Sequence, residues 1–393
     1  MVVAIGMSGA RDGVPASFEL PAVTLVALDV EPLSVPLRDP FVIASGRIDV
    51  TRAALVSATV EDAAGRRAVG LGEAAALPPV TREDQPELLA AIAAASPALV
   101  GLRLEAAPER WQALASAVAR ALPESAVARA GVESAILDAW CRAAGVSVAR
   151  ALAGGESLPP ARPVFFTDIT LPISDPDRMV QAARRHHAAG FDCFKVKVGR
   201  DWRADRASLR AVGGAIPSAR FRLDANAGFS AADALALLDA ALADGLDVEC
   251  YEQPCAAADL AGMAEVTARS PVPVVADESF RCAADLDRII AARAAHAVNL
   301  KLVKLGGPIA SLALGRRARA AGLKLMAGAM VETRVGLLAM AHVVAALGGA
   351  DWIDLDTAFL LASDPFDGGW SVSGARIELT GGPGLDVRRG PRA

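Results

Sequence analysis

The chain has 393 residues, long enough for two cores, and 53% of them are hydrophobic, which excludes a disordered chain. Its net charge is −5 with no basic tract, which argues against nucleic acid as a partner. No apolar run reaches the roughly 18 residues of a membrane span, and the alanine-rich stretch 231–243 is interrupted by Asp and carries helical spacing.

The first 22 residues lack a positively charged leader before an apolar core, so no secretory signal is expected there. Residues 23–30, 53–61 and 67–71 carry apolar and β-branched runs separated by Pro, Gly and Asp, the pattern of a β-meander. Segments 87–98, 107–121 and 125–144 then place apolar residues at three- and four-residue steps, which predicts helices. Strands followed by helices make an α+β unit. Gly154-Gly155 and Pro159-Pro160 punctuate the chain and predict a domain boundary.

Beyond Pro160 strands and helices alternate. Residues 164–167 read as a first strand and 177–190 as its helix; later strands are expected at 194–198, 221–223, 248–251, 272–276, 297–300, 324–327 and 352–355. Eight parallel strands close a (β/α)8 TIM-type barrel, although fewer than eight helices are expected. The predicted organisation is α/β: an N-terminal extension and α+β capping domain (1–155), a modified barrel (156–360), and a C-terminal segment (361–393) packing back on the cap.

The five cysteines, Cys141, Cys193, Cys250, Cys255 and Cys282, are odd in number and show no CxxC spacing, as expected of reduced thiols in a cytoplasmic protein. Cys250 and Cys255 bracket Glu252, but small apolar packing accounts for them. The four histidines show neither HxH nor HExxH spacing and are expected to be structural or at the surface.

Charged residues recur at strand ends: Lys195 and Lys197, then Asp224, Glu252, Asp277 and Lys301, with gaps of 24 to 28 residues from Lys197 onward. A parallel barrel brings such ends to one face. Three carboxylates from three strands suit Mg²⁺, a hard cation that keeps positions open for substrate. Crowded cations beside a metal are expected to depress the lysines' pKa values, so that a neutral amine accepts a proton near pH 7. Lys197 on the second strand and Lys301 on the sixth would face each other across the ring. Opposed bases suit 1,1-proton transfer, the chemistry of racemases and epimerases. A divalent ion holding a carboxylate would stabilise the enediolate formed when the α-proton leaves.

With Val35-Pro36-Leu37 and Pro40-Phe41 near the start, this set resembles the muconate-lactonizing-enzyme subgroup of the enolase superfamily, along nearly the whole chain. The resemblance implies a capping domain over a modified barrel, one Mg²⁺ per subunit on Asp224, Glu252 and Asp277, Lys197 and Lys301 as the acid/base pair, and Lys195 as an auxiliary cation. The eighth strand end, Ile353-Asp354-Leu355-Asp356-Thr357, is similar to the signature of dipeptide epimerases, in which the two aspartates hold the free α-ammonium. Residues 363–369 (SDPFDGG) also look like that family. The implied reaction is epimerisation at the C-terminal residue of a dipeptide. A cycloisomerase or N-acylamino-acid racemase of the same subgroup is the first alternative, and a non-catalytic binding barrel the second.

The resemblance further places Thr167, Ala329 and Met330 beside the substrate, with Glu332 behind them. An arginine that pairs with a glutamate side chain in Ala-Glu epimerases is matched by Gly46, with Arg47 one residue late. Leu77-Pro78-Pro79-Val80 is apolar, so a hydrophobic or small substrate side chain is expected. Relatives often assemble symmetrically, which makes a homo-oligomer an expectation, but no local sequence feature specifies an interface.

Overall fold

The computed structural model describes residues 19–43, 46–154 and 159–390. The N-terminal extension and the predicted boundary at residues 155–156 lie outside them.

Near the N-terminus, strands Val23–Leu33, Arg52–Asp62, Arg67–Ala76 and Arg103–Leu104 form an antiparallel sheet, and Pro36–Ile43 pairs with Gly46–Val50 as a separate hairpin. Helix Ala126–Ala143 lies on the sheet. Ser125 starts it by accepting a hydrogen bond from Ala128 N (3.0 Å). Glycines set the spacing of these layers: a Cβ on Gly72 would stand 2.0 Å from Gly131 O. Trp140, fully buried, donates its indole N–H to Pro21 O (2.7 Å).

Eight parallel strands follow in sequential order: Ile169–Leu171, Cys193–Lys197, Arg220–Asp224, Asp247–Glu252, Val274–Ala276, Ala297–Leu300, Lys324–Ala327 and Trp352–Ile353. Two expectations need correction. Val164–Phe166 is not the first barrel strand; it pairs antiparallel with Arg376–Leu379 of the C-terminal segment. Phe166 is 53% exposed, which does not suit a strand buried on both faces. The eighth strand ends at Ile353, so Asp354 and Asp356 stand on the loop beyond it.

Among the described residues no ladder joins the eighth strand to the first. One backbone bond, from Asp168 N to Ile353 O (3.2 Å), and several side chains close that seam. Leu355 N donates to Thr167 Oγ1 (2.9 Å), Thr170 N to Asp356 Oδ2 (2.6 Å), and Arg222 Nη1 to Ile353 O (2.7 Å). The eighth helix is a four-residue stub, Thr357–Leu360, which leaves the barrel modified as the sequence predicts.

The C-terminal segment forms two small sheets. It reaches the cap at Asp138, which accepts Leu385 N (2.7 Å) and Leu71 N (2.8 Å). Among the described residues, no helix is long and apolar enough to cross a membrane.

Candidate active site

The residues that line the central cavity come from both units. Phe41, Leu77 and Val80 reach in from the cap. Thr170, Lys195, Lys197, Asn226, Asp277, Glu278, Lys301, Ala329, Met330, Asp354 and Asp356 come from the C-terminal ends of barrel strands or the loops after them. Thr167, expected beside the substrate, does not line the cavity. Its hydroxyl is occupied in the seam, and Thr170 takes the place beside the cavity.

Strand register explains the lysines. In Cys193–Lys197 alternate residues face the same way, so Lys195 and Lys197 point together. Lys197 Nζ donates to Asp224 Oδ2 (2.6 Å). Lys195 Nζ contacts Asp354 (2.6 Å), Glu252 (2.7 Å) and Asp224 (3.0 Å). On the far side Lys301 Nζ donates to Asp277 Oδ2 (2.8 Å) and lies 3.9 Å from Glu252. Lys197 and Lys301 therefore meet opposite ends of the carboxylate set, and both are buried.

The expected depression of the lysine pKa values belongs to the metal-loaded site; among the protein's own groups the balance at Lys195 and Lys301 runs the other way. Burial works against both charges, yet Asp354, Glu252 and Asp224 hold Lys195 well above its ordinary range, and Asp277 and Glu252 raise Lys301. Carboxylates, not cations, are their nearest neighbours. Conversely, burial alone would push Asp224 and Asp277 up, but Lys197 and Lys195 lower the first, and Lys301 and Lys304 lower the second. Burial and Asp224 raise Glu252.

The tightest acidic trio among the described residues is a different one: Asp168, Asp354 and Asp356, with oxygens within 4.8 Å of one another. Asp224, Glu252 and Asp277 are interleaved with lysines instead. The tight trio is tolerable because burial, then Asp354, pushes Asp356 up to about 6, and burial with Asp354 also raises Asp168 far above its ordinary range. Arg222 Nη1 donates to Asp168 Oδ2 (2.8 Å) from below.

Known proteins share this fold. The description "Mandelate racemase / muconate lactonizing enzyme, N-terminal domain" matches residues 26–153, and "Enolase C-terminal domain-like" matches residues 178–389. This chain belongs to the mandelate racemase/muconate lactonizing enzyme family of the enolase superfamily. A family member from Herpetosiphon aurantiacus, described as an aromatic dipeptide epimerase, is 37% identical over 91% of this chain and 96% of its own. A hydrophobic dipeptide epimerase from Citrifermentans bemidjiense is 35% identical over 90% and 95%. The dipeptide epimerase of Enterococcus faecalis, solved with Mg and the dipeptide L-Leu-L-Tyr, superposes with a TM-score of 0.83 at 30% identity, over 93% of this chain and all of that one.

The donor set fits a divalent cation of the kind seen in that relative. Asp224, Glu252 and Asp277 supply hard oxygens, and the buried acceptors Glu278 Oε2 and Asn226 Oδ1 beside them have no hydrogen-bond donor. Burial and Asp277 push Glu278 up to about 7, as expected of acids that exceed the positive charge around them.

Two features of this family member were missed in the sequence. Lys304 Nζ donates to Asp277 through both a short contact to Oδ1 and a 2.7 Å bond to the backbone carbonyl. Glu278 lines the cavity beside Asp277. Lys304 follows Lys301 by three residues, the spacing of a helical turn, and that was the available signal. Arg47, in contrast, bonds Asp49 on the exposed hairpin and does not line the cavity. All five cysteines are free, and Cys250 and Cys255 are buried, in keeping with a packing role. His342 and His296 accept backbone N–H bonds away from the cavity.

Proposed function

We propose that this chain is a Mg²⁺-dependent dipeptide epimerase that inverts the α-carbon of the C-terminal residue, with a preference for hydrophobic or small side chains. What supports this reading is the pairing of two features in one cavity: Lys197, bonded to Asp224, with Lys301, bonded to Asp277, and Asp354 with Asp356 between the eighth strand and the stub helix.

Lys197 Nζ removes the α-proton from one face, and Lys301 Nζ returns a proton to the other; the reverse direction exchanges their roles. Asp224, Glu252 and Asp277 are the residues to hold Mg²⁺, which when bound supplies a positive charge that offsets the negative charge growing on the substrate carboxyl group. Lys195 adds a fixed cation beside the same group. Asp354 and Asp356 receive the substrate ammonium, and Asp356 Oδ1, buried without a partner, is open to it. Cycloisomerase and N-acylamino-acid substrates carry no such ammonium, so two acids here disfavour them.

Phe41, Leu77, Val80, Ala329 and Met330 offer an apolar surround, and Arg47 is engaged elsewhere, which supports a hydrophobic side chain over glutamate. Incubating the protein with Mg²⁺ and a dipeptide library in D₂O, followed by mass spectrometry, tests the proposal. Deuterium should enter hydrophobic dipeptides. No uptake in any dipeptide would favour a binding protein, and faster turnover of Ala-Glu would overturn the side-chain preference.

A further inference from the structure

Glu73 lies on strand Arg67–Ala76 of the cap, four residues before Leu77. Its buried carboxylate crosses to the barrel and accepts Thr333 N (3.0 and 3.1 Å), Thr333 Oγ1 (2.6 Å) and Gly336 N (3.1 Å). These donors form the start of helix Arg334–Ala346. The loop just before that helix carries Ala329, Met330 and Val331, which line the cavity. Leu77 and Val80, just after Glu73, line it from the cap.

One buried carboxylate thus ties together the two segments that provide apolar walls. We infer that Glu73 is a positioning residue that fixes the gap between the Leu77–Val80 segment and the Ala329–Val331 segment, and so sets which substrate side-chain sizes fit. The inference rests on the proposed function for its link to specificity, but the mechanical coupling stands apart from it.

Three observations support a role beyond ordinary capping. The helix already has a local cap in Thr333, whose hydroxyl accepts Val335 N (3.3 Å), so a buried carboxylate from another unit is not needed to start it. A second carboxyl, Glu332, crowds the same turn; a Cβ on Gly336 would stand 2.1 Å from its Oε2. Glu332 Oε1 accepts Met330 N (2.9 Å), which fixes the wall segment to the same cluster. Burial raises both acids, Glu332 to about 8 with Glu73 contributing, which suits one charged and one neutral carboxyl.

The fold supplies a matched control. Glu133, also buried and from the cap, accepts Ile309 N (2.7 Å) at the start of helix Pro308–Ala320, which contributes no cavity wall. The test compares wild type, Glu73→Gln, Thr333→Val and Glu133→Gln by two readouts. The ratio of kcat/KM for Ala-Phe against Ala-Ala should shift by about tenfold in E73Q and by less than about twofold in E133Q. Hydrogen exchange should show residues 77–81 and 328–336 losing protection together in E73Q, and to a smaller degree in T333V, but not in E133Q. An equal ratio shift in E73Q and E133Q overturns the inference, as does opening of 328–336 with 77–81 unchanged. A wild-type protein inactive on every dipeptide would defeat the proposed function alone, and the exchange data would still decide the coupling. If E73Q does not fold, T333V carries the same comparison.

Discussion

Replacing Asp356 by Asn removes a charge while keeping an oxygen for Thr170 N, which the wild-type carboxylate accepts at 2.6 Å. The fold should therefore survive. If Asp356 pairs with a buried substrate ammonium, its loss leaves that charge short of a partner and costs about 2–5 kcal/mol, or roughly 30- to several-thousand-fold in kcat/KM. Stability should move the other way. Burial, with Asp354, raises Asp356 from 3.8 to about 6 in the folded protein. An acid with a raised folded pKa favours the folded state at low pH, and its ionisation opposes folding above pH 6. The difference amounts to about 3 kcal/mol. D356N should accordingly be more stable than wild type by up to that amount at pH 8, with the advantage fading as pH falls from 6 to 4. Steady-state kinetics on Ala-Phe and urea denaturation at several pH values measure both. A folded D356N whose kcat/KM falls by less than about threefold would refute the ammonium site. A variant less stable than wild type at pH 8 would refute the electrostatic reasoning.

Replacing Lys197 or Lys301 by Met should abolish epimerisation by at least ~10³-fold, yet leave exchange of the α-proton of one epimer through the remaining lysine. Proton NMR in D₂O resolves this; exchange of both epimers in either variant would exclude opposed bases. Chelation with EDTA should remove turnover, and Mg²⁺ at about 100 times its Kd should stabilise the fold by about 2.7 kcal/mol. Calorimetry reads that shift, and Asp277→Asn should reduce it. Gly72→Ala would force a Cβ against Gly131 O in the cap and is expected to cost about 1–3 kcal/mol in denaturant melts; a neutral effect would show that the helix can move off the sheet freely.

Periodicity in the chain determined the order of layers, because a side chain's facing repeats every two residues in a strand and about every 3.6 in a helix. It also determined that Lys195 and Lys197 face together and that Asp224, Glu252, Asp277 and Lys301 gather at one barrel face, since strand ends in a parallel barrel share a direction. The bounds of the first and last barrel strands were not legible. A three-residue apolar run such as Val164–Phe166 fits a barrel or a peripheral sheet equally, and only its antiparallel partner Arg376–Leu379, more than 200 residues away, assigns it. Which threonine reaches the cavity followed from that assignment. The charge balance was likewise a tertiary matter. Spacing gave a cluster of lysines, but the ion pairs that raise Lys195 and Lys301 depend on distances of a few ångströms between different strands. The same holds for Lys304 beneath Asp277 and for Glu73 reaching Thr333 across 260 residues. Sequence pattern carries direction and period along one element, whereas contacts between elements exist only once the chain has packed.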